Sequence, residues 1–313
     1  MRAVRYTGAG AAAEVTELVE VADPTPADDE VLVRVGAVGL NPVDVKIRAA
    51  ATDFGPIEYT ALPGWDVAGE VVAAGAAVDA FAPGDAVFGL ARFPRAAHTL
   101  ADLVAVPAAD LAHAPAAWTV AQQGGAPLAV LTAWHAFAAA GLTGDVTGKR
   151  VLVLGGAGGV GHLAVQVAKA RGAHVIATAS RAKHDVLAGL GADEVVDYKD
   201  ESALDELAPV DVVLSTVDHG VPPLGAVRAG TAVITITGFP DGAEDRLRAA
   251  GASVVQRIMV AADGAALAEV AALADAGRLT VLVDGEFPLD DVVAAQERLE
   301  TGRVTGKVVV TLP

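Results

Sequence analysis

No cysteine occurs anywhere in the 313 residues, which excludes disulfides and every zinc site built on thiolates. Basic residues are scarce. The 22 Lys and Arg against 39 Asp and Glu leave a formal charge of −17, and a surface this negative repels nucleic-acid backbones and anionic lipid. No Lys/Arg cluster reverses the balance locally. Aromatics are only 4%, so the 53% hydrophobic content rests mostly on Ala and Val; that is apolar enough to exclude disorder. No apolar run reaches the ~20 residues a membrane-spanning helix needs. The stretch from Leu111 to Gly144 has no Asp, Glu, Lys or Arg, but Pro115, Gln122, Gln123, Gly124, Gly125 and Pro127 interrupt it, so it reads as buried helix. The opening Met1–Tyr6 lacks the apolar core of a signal peptide, which points to a cytoplasmic protein.

What is present divides into two rhythms, and the length suggests two domains. The first is β-rich. Glu30–Val38 alternates before the turn signal Asn41-Pro42, and Glu70–Gly75 and Asp85–Gly89 are short strands bounded by Gly and Pro. A small barrel or sandwich is expected. From about residue 120 a helical stretch leads to the apolar run Arg150–Leu154, and strands then alternate with helices: His174–Thr178, Glu194–Asp197, Asp211–Ser215, Thr231–Ile236 and Ala252–Val255. That alternation predicts a parallel sheet covered on both faces. A tail of amphipathic helix (Pro288–Leu299) and strand (Lys307–Thr311) is not placed by periodicity.

Gly156, Gly158 and Gly161 satisfy G-x-G-x-x-G between an apolar strand and a helix. Glycines there permit a sharp turn and close backbone approach to a pyrophosphate, and free N–H groups at the helix start bind its charge. After the next strand an NAD site places Asp or Glu for the ribose 2′-hydroxyl. This chain instead reads Thr178-Ala179-Ser180-Arg181-Ala182-Lys183. Missing acid and present base both suit the 2′-phosphate of NADPH; the alternative for Arg181 and Lys183 is a solvated helix start.

Several segments together are more specific than the glycine turn: Val38-Gly-Leu-Asn-Pro-Val-Asp44 through Arg48, Pro63-Gly-Trp-Asp66 through Val71, Pro83-Gly-Asp-Ala-Val-Phe-Gly89, Leu131-Thr-Ala-Trp134, Leu190-Gly-Ala-Asp193 through Tyr198, and Gly306-Lys-Val-Val-Val310. Through them the chain resembles, nearly end to end, the zinc-independent quinone oxidoreductases of the medium-chain dehydrogenase/reductase superfamily. The resemblance implies an α/β fold: a Rossmann doubly wound parallel sheet (121–284) inserted in a GroES-like β-barrel catalytic domain (1–120 plus 285–313). It also implies site residues. Asn41 sits beside the nicotinamide and Thr132 at the nicotinamide or its ribose. Gly156, Ala157, Gly158, Gly159 and Val160 hold the pyrophosphate. Ser180, Arg181, Lys183 and Tyr198 surround the 2′-phosphate. Thr216, Val217, Thr237, Gly238 and Phe239 line the nicotinamide side, with Ile258 to Val260 near it. Lys307 either reaches the cofactor or caps the tail strand.

Zinc-dependent relatives carry a catalytic Cys and a Gly-His-Glu segment; here the second reads Gly64-Trp65-Asp66, and Asp66 alone is a poor zinc site. The segment that often reads small-Tyr-Ala-Glu is Thr99-Leu100-Ala101-Asp102, and Lys46 stands where some relatives place Tyr. Asn41 and Lys46 are the expected catalytic residues, with Asn41, Lys46 or a backbone N–H as the donor to the acceptor oxygen. The expected activity is NADPH-dependent hydride transfer to a quinone or an α,β-unsaturated carbonyl. A reductase tailoring one biosynthetic intermediate and a non-catalytic NADPH-binding sensor or structural protein are the alternatives. The loop Ala49–Thr60 is expected to shape the acceptor pocket. An exposed edge strand near Ala252–Val255 predicts a homodimer.

Overall fold

The computed structural model describes residues 1–50, 60–218 and 220–313; most of the loop at 49–60, together with His219, lies outside the described residues. The chain divides into two compact units, Met1–Leu131 with Ala261–Pro313, and Thr132–Val260.

The first unit opens with β1 (Arg2–Tyr6), the short helix α1 (Ala12–Val15) and β2 (Thr16–Glu20), β1 and β2 forming an antiparallel ribbon. Next come β3 (Glu30–Leu40), α2 (Pro42–Ala50), β4 (Asp66–Ala74), β5 (Ala86–Leu90), β6 (Leu103–Pro107), β7 (Leu111–His113) and α3 (Val120–Gly125). Thr119 starts α3 through a reciprocal cap: its Oγ1 accepts from Gln122 N–H, and Gln122 Oε1 accepts from Thr119 N–H. Helix α4 (Pro127–Ala139) crosses the unit boundary.

The second unit continues with β8 (Arg150–Leu154), α5 (Gly161–Ala170), β9 (His174–Ala179), α6 (His184–Gly189), β10 (Glu194–Asp197), α7 (Glu201–Asp205), β11 (Val212–Ser215), β12 (Ala232–Thr235), α8 (Ala243–Ala249) and β13 (Val254–Arg257). The tail returns to the first unit as α9 (Gly264–Asp275), β14 (Val283–Pro288), α10 (Val292–Glu300) and β15 (Lys307–Thr311).

Pairing explains why the tail belongs with the first unit. One edge of β3 carries β4; the other is shared, with Glu30–Arg34 paired to β6 and Ala37–Leu40 to β15. The last strand thus completes a sheet begun some 270 residues earlier, ordered β14-β15-β3-β4-β5-β7 with β6 on β3. The unit boundaries differ from the expected 120/121 and 284/285 because α3 packs on β3, β4 and β15, and α9 on β7.

The second unit is a six-stranded parallel sheet in the order β10-β9-β8-β11-β12-β13. In chain order within the sheet this is 3-2-1-4-5-6, the doubly wound dinucleotide-binding arrangement, whose direction reverses between β8 and β11. Its middle strands are apolar at their centres because helices cover both faces: Val151, Leu152, Val153, Val213, Leu214, Val233 and Ile234 are all buried. β13 pairs only with β12 and forms an edge of this sheet.

Candidate functional site

The carboxyl ends of β8, β9, β11 and β12 gather the residues of the glycine turn and its neighbours. Gly155 follows β8 at φ +79°, a left-handed conformation that costs glycine little. A Cβ there would lie 2.5 Å from Val217 Cγ1, and one at Gly161 would lie 2.1 Å from the Gly155 carbonyl oxygen. These two glycines are required for the turn to close at all. Gly158 is different: a Cβ there meets nothing nearer than the Gly155 oxygen at 3.4 Å. The protein leaves that space open. Among the described residues the N–H groups of Ala157, Gly159 and Val160 donate to no protein acceptor, and they stand at the start of α5, whose dipole favours an anion. Open space beside unpaired donors is what a diphosphate requires, so the turn fits a dinucleotide.

On one side of the turn, Thr178 receives Gly155 N–H on its Oγ1 (3.1 Å) and Gly156 N–H on its carbonyl (2.8 Å). This locks β9 to the turn. Ala179, buried, ends the strand where an acid would otherwise stand. Ser180 and Lys183 are half-buried and Arg181 exposed on the next turn of chain. Tyr198, just past β10, is exposed, with Lys199 Nζ 5.8 Å from its ring. On the other side, Thr216 Oγ1 donates to Leu154 O at 2.8 Å and Thr237 Oγ1 to Val217 O at 3.1 Å, tying the three strand ends together. Gly238 turns at φ +117° before half-buried Phe239. Ile258 N–H reaches Thr235 O (2.9 Å), so Ile258 is adjacent to the end of β12. Thr132 is buried on α4.

The first unit contains a cluster that the sequence reading did not assemble. Asn41, Asp44, Asp66 and Lys307 are all buried. Asn41 Nδ2 donates to Asp66 Oδ2 (2.9 Å) and to Gly39 O (3.3 Å), and its Oδ1 accepts from Lys307 Nζ. Lys307 Nζ also lies 3.5 Å from Asp66 Oδ2. Asp66 Oδ1 accepts Leu128 N–H (2.6 Å) at the start of α4, and Asp44 Oδ2 accepts Asn41 N–H (2.7 Å). Two carboxylates thus face one ammonium away from water. Burial pushes Asp44 up to about 7, against the pull of the Asn41 N–H and with the Asp66 charge adding to the rise. Burial raises Asp66 too, opposed by Lys307, and lowers Lys307, opposed by Asp66 and Asp44. Lys46, the other expected donor, is half-buried on α2.

Asp44 gives a test. Its folded-state affinity for a proton exceeds the unfolded one, so its contribution is full below about pH 4 and lost as pH rises toward 7. Asp44→Asn keeps an acceptor for the Asn41 N–H without a charge. The wild type is expected to lose a few degrees of melting temperature between pH 5 and 8 that the variant keeps. Parallel thermal melts check it, and equal slopes would contradict the buried-charge reading.

Comparison with known proteins decides the family. Residues 27–116 match the alcohol dehydrogenase GroES-like domain and residues 190–310 the zinc-binding dehydrogenase domain. The chain is 35% identical to the 2-methylene-furan-3-one reductase of Solanum lycopersicum, over 99% of this chain and 79% of that one. It is 33% identical to the chloroplastic quinone-oxidoreductase homolog of Spinacia oleracea, over 99% and 98%. A mycobacterial protein solved in complex with NADPH superposes with a TM-score of 0.84 at 27% identity, covering 99% of this chain and 100% of that one. The chain belongs to the quinone oxidoreductase family of the medium-chain dehydrogenase/reductase superfamily.

Within this superfamily a zinc ion is a common resident, and the residues present do not fit one. Asp66 already accepts from Leu128 and Asn41 and faces the Lys307 ammonium, which has no lone pair to offer a metal. Among the described residues no group of three or more His, Asp or Glu side chains is placed to hold a metal ion. Nor is any helix among them long and apolar enough to cross a membrane. A signal for the charge cluster did exist in the sequence of this reductase: Asp44 and Asp66 each stand directly between two apolar residues. Nothing in the sequence said that Lys307 would meet them.

Proposed function

We propose that the protein oxidises NADPH and reduces a quinone or an α,β-unsaturated carbonyl. The observation that carries this is the space beside Gly158, bordered by unpaired N–H groups, together with a strand end that offers Ala179, Ser180, Arg181 and Lys183 in place of an acid. NADPH, when bound, supplies the hydride. The amides of Ala157, Gly159 and Val160, with Gly156 and Gly158 as the flexible frame, hold the pyrophosphate. Ser180, Arg181, Lys183 and Tyr198 select the 2′-phosphate. Thr132, Thr216, Val217, Thr237, Gly238 and Phe239 orient the nicotinamide.

Without a Lewis acid, hydrogen-bond donors must meet the charge that grows on the acceptor oxygen. Asn41 has both amide hydrogens committed to Asp66 and Gly39, so its part is to hold Lys307 in place. Lys46 is left as the proposed donor at the acceptor oxygen, with solvent as the proton source. The names of the tomato and spinach relatives support an enone and a quinone respectively. Oxidation of NADPH against a panel of both acceptor classes tests the proposal; saturable NADPH binding with no turnover on any of them would favour a non-catalytic NADPH-binding protein.

Ala179→Asp tests the cofactor. A carboxylate at the end of β9 accepts from a ribose 2′-hydroxyl and repels a 2′-phosphate. The variant is expected to bind NADPH at least tenfold more weakly and NADH more tightly, read by titration of cofactor fluorescence. An unchanged preference would contradict the assignment of this strand end. The edge strand β13 supports a homodimer built by pairing two copies of it, and a monomer mass by light scattering would reject that.

A further inference from the structure

The buried side chains of α2 are Asp44, Ile47 and Arg48. These are the i, i+3 and i+4 positions that a helix ordinarily gives to apolar residues, yet two of the three are ionisable. Arg48 is only 1% exposed, and its guanidinium reaches α10. Nη1 donates to Gln296 Oε1 at 2.6 Å, and Nη2 donates to Glu300 Oε1. Gln296 is buried and Glu300 partly exposed. The arrangement is costly. Among the described residues Arg48 Nε and Asp44 Oδ1 have no hydrogen-bond partner, and an apolar side chain of similar volume would fill the site without desolvating a charge. What the two hydrogen bonds of a planar guanidinium supply, and apolar contact does not, is direction. They fix how far α2 is turned about its own axis and how far it is slid along α10.

We propose that Arg48 is a positioning residue: by tying α2 to α10 it sets the rotation of α2, and with it the placement of Lys46. The inference rests on the reading of Lys46 as the donor at the acceptor oxygen. Successive residues of a helix lie about 100° apart around its axis. Lys46, two residues from both Asp44 and Arg48, therefore projects from the side opposite to theirs. At the outer radius of a helix, about 5–6 Å from its axis, a rotation of about 10° is a displacement of about 1 Å. A misplacement of that size at a reacting centre costs about a hundredfold in rate. The start of α2 is held through Asn41, which pairs with Asp66 of β4 and Lys307 of β15. Arg48 stands in the last turn. Polar groups thus fix both ends of the helix, and Lys46 lies between them.

The experiment is a double-mutant cycle on Arg48→Met and Lys46→Met, read by the single-turnover rate of NADPH oxidation at saturating acceptor, by kcat and acceptor KM, and by NADPH titration. Each single variant is expected to lose at least tenfold in rate, with acceptor KM and NADPH affinity within about twofold of the wild type. The double variant is expected to be no more than about twofold slower than Lys46→Met, because Arg48 acts through Lys46. Glu300→Ala, at a partly exposed position, removes one of the two bonds; it is expected to lose about threefold in rate, and it replaces Arg48→Met in the cycle if that variant does not fold. Glu300→Gln keeps an acceptor for Nη2 and is expected to restore the wild-type rate. Arg48→Met and Glu300→Ala variants that melt lower but react at the wild-type rate would overturn the proposal, since the bonds would then hold the fold and nothing more. A loss from Arg48→Met that is as large in the Lys46→Met background as in the wild type would overturn it as well. A wild-type rate in Lys46→Met is a different result: it would reject Lys46 as the donor, and the role of Arg48 with it.

Discussion

Gly158→Ala is expected to fold as the wild type does and to bind NADPH at least tenfold more weakly, whereas Gly161→Ala is expected to damage the fold. The contrast follows from what each added methyl meets. At Gly158 the nearest protein atom is 3.4 Å away and the residue is not among those with positive φ, so the chain itself accommodates alanine. The loss of affinity then reports a ligand that uses the same space. At Gly161 the methyl would lie 2.1 Å from a backbone oxygen, and the turn must open or α5 must shift, at a cost of about 1–3 kcal/mol or more. Thermal melts and cofactor titrations of both variants separate the effects. If Gly158→Ala bound NADPH normally, the open space would have no bearing on the cofactor, and the pyrophosphate assignment would fall with it.

Lys307→Met is expected to destabilise the first unit strongly, and its effect should depend on pH. The substitution removes the only cation from a group that contains Asp44 and Asp66, all of it inaccessible to water. Removing one partner of a buried ion pair costs about 3–5 kcal/mol, because the other charge is left without compensation. Protonation relieves that penalty. Asp44 already holds its proton up to about 7, and loss of Lys307 drives both carboxyls higher. The variant should therefore melt far below the wild type at pH 8 and come closer to it at pH 5. Denaturant unfolding at the two pH values reads the difference directly. A loss of equal size at both would mean that packing, and not charge, holds Lys307 in place. Met is the appropriate replacement because it nearly preserves the length and the apolar stem of lysine.

The two predictions concern parts of the molecule that differed in how visible they were in the sequence. The glycine turn was legible because its requirements are local: a strand, a bend that only glycine closes, and a helix start follow one another within a dozen residues. The missing acid at Ala179 was legible for the same reason. The place of His184 was not, although it is only three residues from Arg181, because periodicity gave no reason to put a helical histidine in the lining of a cavity. Asn41 was read as a group beside the nicotinamide, whereas the structure gives its amide three partners within the first unit. The turn signal Asn41-Pro42 carried no information about Asp66 or Lys307, which are 25 and 266 residues away.

By itself, the sequence determined the alternation of buried strands and helices, the glycine turn between strand and helix, the absence of thiolate ligands and the lack of an acid with Arg181 and Lys183 present just after β9, since each depends on residues adjacent in the chain. Tertiary structure alone decided that β15 pairs with β3 and so carries Lys307 to Asn41 and Asp66, and that Arg181 and His184 share one cavity. Those outcomes depend on strand pairing and burial between distant segments, where the charge state of a side chain is set by neighbours that no local spacing encodes.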